Sequence, residues 1–196
     1  MSNRRDLPVL GQAPPERSDA ARNRLKIIDA AVRLLAEHGA EQLSLDEVAR
    51  AAGVGVGTVY RRFGDRSGLL LALIDERERR FQESFLSGPP PLGPGGGASA
   101  AERVTAFLHA LVDRITEQEK LFLLLERSGR YTSPYSVHHT HLAVLLAELV
   151  PGADAHFLAD VLLAPLNANL LCLRGYDTAR VKAGLDDLVR RLTPRG

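Results

Sequence analysis

The run from Ser44 to Phe63, SLDEVARAAGVGVGTVYRRF, limits the architecture more than any other stretch. It breaks into two short helices at Gly53-Val54-Gly55, where glycine allows the positive φ that a sharp helix-ending turn needs. Upstream, Leu45, Val48, Ala49 and Ala52 recur at helical spacing and define one apolar face. Ser44 stands at the N-cap of that helix with Glu47 three residues on, the spacing of a reciprocal capping box. Downstream, residues 56–63 form a second short helix with Val59 and Phe63 turned inward. Thr58, Arg61 and Arg62 then project from its other side. Two short helices, a glycine turn and a face carrying a hydroxyl and two guanidinium groups are the parts of a DNA-reading helix-turn-helix.

On either side the signals remain helical. Residues 19–38 carry the stripe Ile27, Ala31, Leu34, Leu35 and His38, closed by Gly39, and His38 reads as a boundary residue. After Asp65, an N-cap candidate, Leu69, Leu70, Leu73, Ile74, Arg77, Phe81 and Phe85 mark a long connecting helix over 66–87. About 20 residues at 1.5 Å each make it a rod of roughly 30 Å. Such a rod is long enough to touch both the head and the domain that follows. GPPPLGPGGG over 88–97 reads as a linker, stiff at its proline end and loose at its glycine end. Residues 1–17, with Pro8, Pro14 and Pro15, read as a disordered arm. Arg4, Arg5 and Arg17 make it a candidate minor-groove arm as well as a plain tail.

Residues 24–74 resemble the N-terminal domain of the TetR (tetracycline-repressor-like) family of bacterial transcription regulators. Ile27-Ile28-Asp29-Ala30-Ala31 and Glu37-His38-Gly39 are similar to that family's first helix. Leu45 to Ala49, Ala52-Gly53-Val54 and Gly57-Thr58-Val59-Tyr60-Arg61-Arg62-Phe63 follow its second and third, and Asp65 to Leu70 the start of its fourth. About a quarter of the chain is covered. The resemblance implies that Val56, Gly57 and Thr58 open the recognition helix at a major groove, with Tyr60 on the backbone and Arg61 or Arg62 on a guanine. Ser44 and Arg66 then become phosphate-side candidates at helix starts. Many family members carry polar or charged residues where Gly55-Val56 stand here, which puts polar base readout at Val56 in doubt; Val56 would instead meet a thymine methyl.

Bulk charge does not announce this partner, since the net formal charge is +1. Arg61, Arg62 and Arg66 with only Asp65 opposing them make a small basic patch sufficient to meet phosphates. The single cysteine, Cys172, excludes an intrachain disulfide and suits a reducing cytoplasm, the expected location. No apolar stretch follows Arg4 and Arg5, so no signal peptide is expected.

The second half continues in helices. Ser99 and Glu102 repeat the capping-box spacing ahead of Val104, Phe107, Leu108, Leu111 and Ile115. Leu121 to Leu125 reads as a short buried helix between charged flanks, and residues 135–149 as another ending at Pro151-Gly152. Residues 153–173 and 178–192 read as the last two helices, the first nearly all apolar and kinked by Pro165. Asp160, Asn167 and Asn169 argue against a membrane span there. A helix apolar on nearly every side must be covered on every side. The resemblance implies that a second copy covers the rest through Leu158, Leu162, Leu166, Leu170, Leu185 and Leu188.

The same resemblance places a small-molecule pocket in this domain. Phe107, His109, Leu111, Phe122, Arg127, Tyr131, Tyr135, His138, His141 and Asn167 are its candidate lining, apolar with a few polar groups. His138 and His141 share a helix face, but no cysteine or close carboxylate completes a metal set, so no metal and no cofactor are expected. No glycine-rich phosphate loop, nucleophile elbow or HExxH motif is present, and no enzyme is expected.

The expectation is an all-α chain of about nine helices. A helix-turn-helix domain over 18–65 and the connecting helix over 66–87 are followed by the linker over 88–98 and a helical ligand-binding and dimerisation domain over 99–196. Its expected partners are an operator of palindromic half-sites, a small-molecule effector and a second copy of itself, without a membrane. The expected role is a repressor released by its ligand. A ligand-independent regulator or activator, or a helical carrier that no longer reads DNA, stays open at this point.

Overall fold

The computed structural model describes residues 18–40, 42–117, 135–166 and 177–193. They form eight helices and no strand among the described residues. The chain divides into two compact units at Gly64–Asp65. The first holds α1 (Ser18–His38), α2 (Leu45–Ala52) and α3 (Val56–Phe63). The second holds α4 (Arg66–Ser87), α5 (Ala100–Glu117), α6 (Tyr135–Leu149), α7 (Ala155–Leu163) and α8 (Thr178–Leu192). The Pro/Gly run is therefore a loop inside the second unit, joining α4 to α5.

In the first unit α1 packs on α2 and α2 on α3. Ile27, Ala31, Leu45, Val48, Ala49 and Val59 are buried, as the apolar stripes of the three helices require. Leu34 and Leu35 are only half-buried and His38 is exposed, so the buried stripe of α1 runs through Ile28 and Ala30 instead. Gly53 ends α2 with φ +65°, and the Val54 amide donates back to the Ala49 carbonyl at 3.0 Å. Ser44 occupies the N-cap position, but its side chain makes no cap hydrogen bond, so the expected box with Glu47 does not close. The identical spacing at Ser99 does close. The Ser99 amide donates to Glu102 Oε2 at 2.8 Å, and the Glu102 amide donates to Ser99 Oγ at 3.2 Å.

In the second unit α5 packs against α8 on one side and α6 on another, and α6 packs on α7. Helix α4 joins them through an aromatic cluster. The Phe81 ring stacks on Phe107 of α5 at 5.8 Å, and Phe85 meets the same ring edge-on at 5.2 Å. Three aspartates cap helices, each accepting from the amide three residues on: Asp65 from Gly68, Asp154 from Phe157 and Asp177 from Arg180.

Pro165 acts more strongly than a kink. Helix α7 stops at Leu163, and the Leu166 amide turns back to the Leu163 carbonyl at 2.9 Å. A proline ring clashes with the carbonyl four residues earlier and donates nothing to it. Residues 121–125 and 167–173 of the expected helices, with Cys172 among them, and the arm over 1–17 lie outside the described residues.

Candidate nucleic-acid interface

Helix α3 is held to its unit by one fully buried residue, Val59, with Phe63 half-buried a turn later. That anchorage turns Val56, Gly57, Tyr60 and Arg61 to solvent, while Thr58 and Arg62 lie half-buried on one flank. A valine and a tyrosine left exposed on an eight-residue helix cost solvation unless something covers them. Arg61 bends back over the preceding turn. Its Nη2 donates to Thr58 Oγ1 at 3.3 Å. Ser44 is half-buried at the start of α2, with its hydroxyl not spent on capping. Arg66 is exposed at the start of α4, in the second unit.

Residues 27–73 match the family model described as bacterial regulatory proteins, tetR family. The chain carries a TetR-family head on a TetR-like fold. A TetR-family transcriptional regulator from Pectobacterium atrosepticum superposes with a TM-score of 0.69 at 20% identity, over 92% of this chain and 99% of that one. FadR from Bacillus subtilis, solved in complex with stearoyl-CoA, gives a TM-score of 0.57 at 20% identity over 84% and 96%. Among curated proteins, the HTH-type transcriptional regulator AcrR of Shigella flexneri is 30% identical over 115 residues, 55% of this chain and 49% of that protein. The chain thus spans about half the length of that curated relative. Val56, Gly57 and Thr58 form the first turn of the third helix of the TetR-family head, and Tyr60 and Arg61 follow a turn later.

The expected pocket residues of the second unit do not form one group. Phe107, Leu111 and His138 are buried and His141 is half-buried, with Phe107, His138 and His141 gathered round Phe81 and Phe85. His109 is on another face of α5, in an open groove of about 1420 Å³ between α5 and α8. There its Nε2 lies 2.7 Å from Asp186 Oδ1. Tyr135 is exposed at the start of α6 and donates to Asp160 of α7 at 2.5 Å, which holds its phenol up at about 12. Phe122, Arg127, Tyr131 and Asn167 lie outside the described residues. Along α6, His138 turns to Glu78, His139 to Asp160 and His141 to the rings of Phe85 and Phe107. No group of three metal-ligating side chains occurs among the described residues.

Sequence reasoning missed what lies beside that cluster. Glu78 of α4, Arg114 of α5 and His138 of α6 are all buried and joined. Glu78 Oε2 lies 2.5 Å from Arg114 Nη2, and Glu78 Oε1 lies 2.9 Å from His138 Nε2. Gln82 donates to the same Oε1 at 2.8 Å, and the Arg114 guanidinium sits 5.6 Å from the centre of the Phe81 ring. Burial raises the Glu78 pKa, but the His138 hydrogen bond and the Arg114 charge outweigh it and hold the carboxyl below its ordinary range. Four-residue spacing along α4 gave the only hint, since Glu78 falls on the same stripe as Ile74, Phe81 and Phe85.

His141 Nε2 is buried without a hydrogen-bond partner among the described residues. Burial, then the Arg103 and His138 charges, push its pKa down to about 4. The unfolded chain therefore binds a proton between about 6.5 and about 4 that the folded chain refuses. Stability should fall as the pH drops through that window, and a His141→Leu protein should lose this part of the dependence. Urea melts at pH 7, 5.5 and 4 would measure it; equal slopes for both proteins would remove His141 as the cause.

The dimer-side leucines also divide. Leu162, Leu166 and Leu185 are buried within the protomer, Leu158 is half-buried, and Leu170 lies outside the described residues. Among the described residues of the expected set, only Leu188 stands exposed. The apolar surface of α7 is instead Phe157 and Val161, 62% and 51% exposed, because the leucines turn toward α6.

Proposed function

We propose that this protein is a sequence-specific DNA-binding transcriptional regulator, a homodimeric repressor released from its operator by a small molecule. One observation carries the DNA half of the reading. Helix α3, the third helix of the stretch that matches the TetR family model, turns a ridge of Val56, Gly57, Tyr60 and Arg61 to solvent. In a dimer two such helices would enter successive major grooves about 34–36 Å apart, which calls for a palindromic operator. The exposed Phe157, Val161 and Leu188 support self-association through α7 and α8.

The ligand half rests on the second unit. Aromatic side chains of α4, α5 and α6 meet a few buried polar groups there, and an open groove of about 1420 Å³ runs between α5 and α8. A protein of the same fold that holds stearoyl-CoA supports it. Helix α4 belongs to that unit, so a ligand acting on α5 or α6 would act on α4. It shifts the balance only by binding the DNA-incompetent arrangement more tightly. A hundredfold loss of operator affinity needs about 2.7 kcal/mol of such preference. By linkage, saturating operator must weaken the effector's binding by the same factor.

The testing experiment is a mobility shift with DNA from upstream of the protein's own gene. Specific retardation at physiological salt is the expected result, and no retardation beyond that of unrelated DNA would end the reading. Arg66→Ala should weaken binding to all sequences alike and flatten its salt dependence by about one counterion per site, measured by titrating salt.

A further inference from the structure

We infer that Arg61, not Arg62, reads a guanine in each half-site, and that Thr58 and Gly57 position it to do so. The inference rests on the DNA-binding reading above and names the base that α3 recognises.

At 3.6 residues per turn, Gly57 and Arg61 stand two residues to either side of Val59, each about 160° round the helix from it. Val59 is the fully buried anchor, so these two positions form the outermost ridge of α3. Any element that α3 enters meets that ridge first. Arg62 is only about 60° from Val59 and half-buried, on the flank rather than the crest.

Helical side chains lean toward the N-terminus, so the Arg61 guanidinium covers the turn before its own Cα. There Gly57 carries no side chain. A Cβ at position 57 would lie 3.9 Å from Arg61 Nη1, so the guanidinium rests directly above the bare glycine. Thr58 Oγ1 accepts from Nη2 at 3.3 Å and holds the fork in that place. Thr58 is half-buried and β-branched, which leaves its hydroxyl few rotamers and makes it a firm peg.

The guanidinium is thereby carried to the N-terminal half of the helix, the part that meets base edges in this mode of docking. It keeps four of its five N–H donors after the bond to Thr58. Two parallel N–H donors match one base edge in the major groove, the O6 and N7 acceptors of guanine. Adenine offers N7 beside an amino donor, and thymine a single O4 beside a methyl, so neither satisfies the fork. A Cβ at position 57 would already lie in van der Waals contact with the guanidinium, so only a side chain longer than a methyl would compete with it for the crest.

The test selects bound sequences from a random-sequence duplex library with the full chain. Wild type should enrich a site with one fixed G·C pair in each half. Arg61→Ala should lose the preference at that pair alone, and its affinity should fall roughly 5- to 150-fold. Arg62→Ala should keep it. Replacing that guanine by 7-deazaguanine, which removes the N7 acceptor, should weaken wild type and leave Arg61→Ala unaffected. Thr58→Ala should weaken the preference at the same pair, and Thr58→Ser should restore it. Circular dichroism confirms that each variant folds. Loss of the guanine preference in Arg62→Ala instead of Arg61→Ala overturns the assignment. So does a Thr58→Ala protein weakened equally on every sequence, since Thr58 then touches only the backbone. A wild type that enriches no sequence overturns the DNA-binding reading itself, and this inference with it.

Discussion

A Glu78→Ala protein should be less stable than wild type by about 3–5 kcal/mol, the cost of breaking a buried ion pair from one side. Glu78, Arg114 and His138 are only 8%, 7% and 5% exposed, so water cannot take over the role of the missing carboxylate. The Arg114 guanidinium would be left buried with its principal anion gone. Replacing the whole cluster (Glu78→Leu, Arg114→Met and His138→Phe together) should recover most of the loss, because well-packed apolar groups often match a buried ion pair in stability. Denaturant melts of the three proteins decide the matter. A single variant within about 1 kcal/mol of wild type would show that the cluster is solvated in solution.

The same carboxylate sets a pH dependence. Its folded pKa is depressed, so its contribution is fully present above the ordinary carboxyl value of 4.5 and is lost as pH falls through the folded value. The gap between wild type and Glu78→Gln should therefore be constant at neutral pH and close only below about 4.5. The network ties α4 to α5 and α6 at one point, so its loss should also loosen the helix that leads on from the reading head.

Val161→Asp should weaken self-association while leaving the protomer folded. Val161 and Phe157 are four residues apart and exposed on the outer face of α7, with Leu188 exposed on α8. A carboxylate at position 161 would be desolvated without a partner in the proposed interface. A penalty of about 3 kcal/mol raises the dimer dissociation constant roughly a hundredfold. Leu166→Asp should behave differently, since Leu166 is buried in the protomer and its replacement should unfold the second unit. Sedimentation with circular dichroism separates the outcomes. A Val161→Asp protein that dimerises like wild type would move the interface away from α7.

Much of the head was legible in the chain itself. The α2–turn–α3 boundaries follow from Gly53 and from apolar residues at helical spacing, and the cap at Asp65 follows from its place before an apolar run. These signals act over three or four residues, through torsions and amide hydrogen bonds that hardly depend on the rest of the fold. Of the face expected on α3, Arg61 stands exposed, whereas Thr58 and Arg62 are half-buried, and Val56 is exposed although it lies only about 60° round the helix from Val59.

Other features were decided only when distant faces met. Ser44–Glu47 and Ser99–Glu102 share one spacing, yet only the second closes into a box. Leu162, Leu166 and Leu185 read as partner-facing along the chain, but the packing of the second unit turns them inward and leaves Phe157 and Val161 outside. Glu78 and His138 are 60 positions apart. Along the chain His138 reads as pocket lining and Glu78 only as a charge on an otherwise apolar stripe, and burying a lone charge is costly. Only the convergence of α4, α5 and α6 supplies the opposite charge that makes burial tolerable. A helix and its caps are settled by near neighbours. Which of its charges can leave water is settled by the helices that arrive beside it.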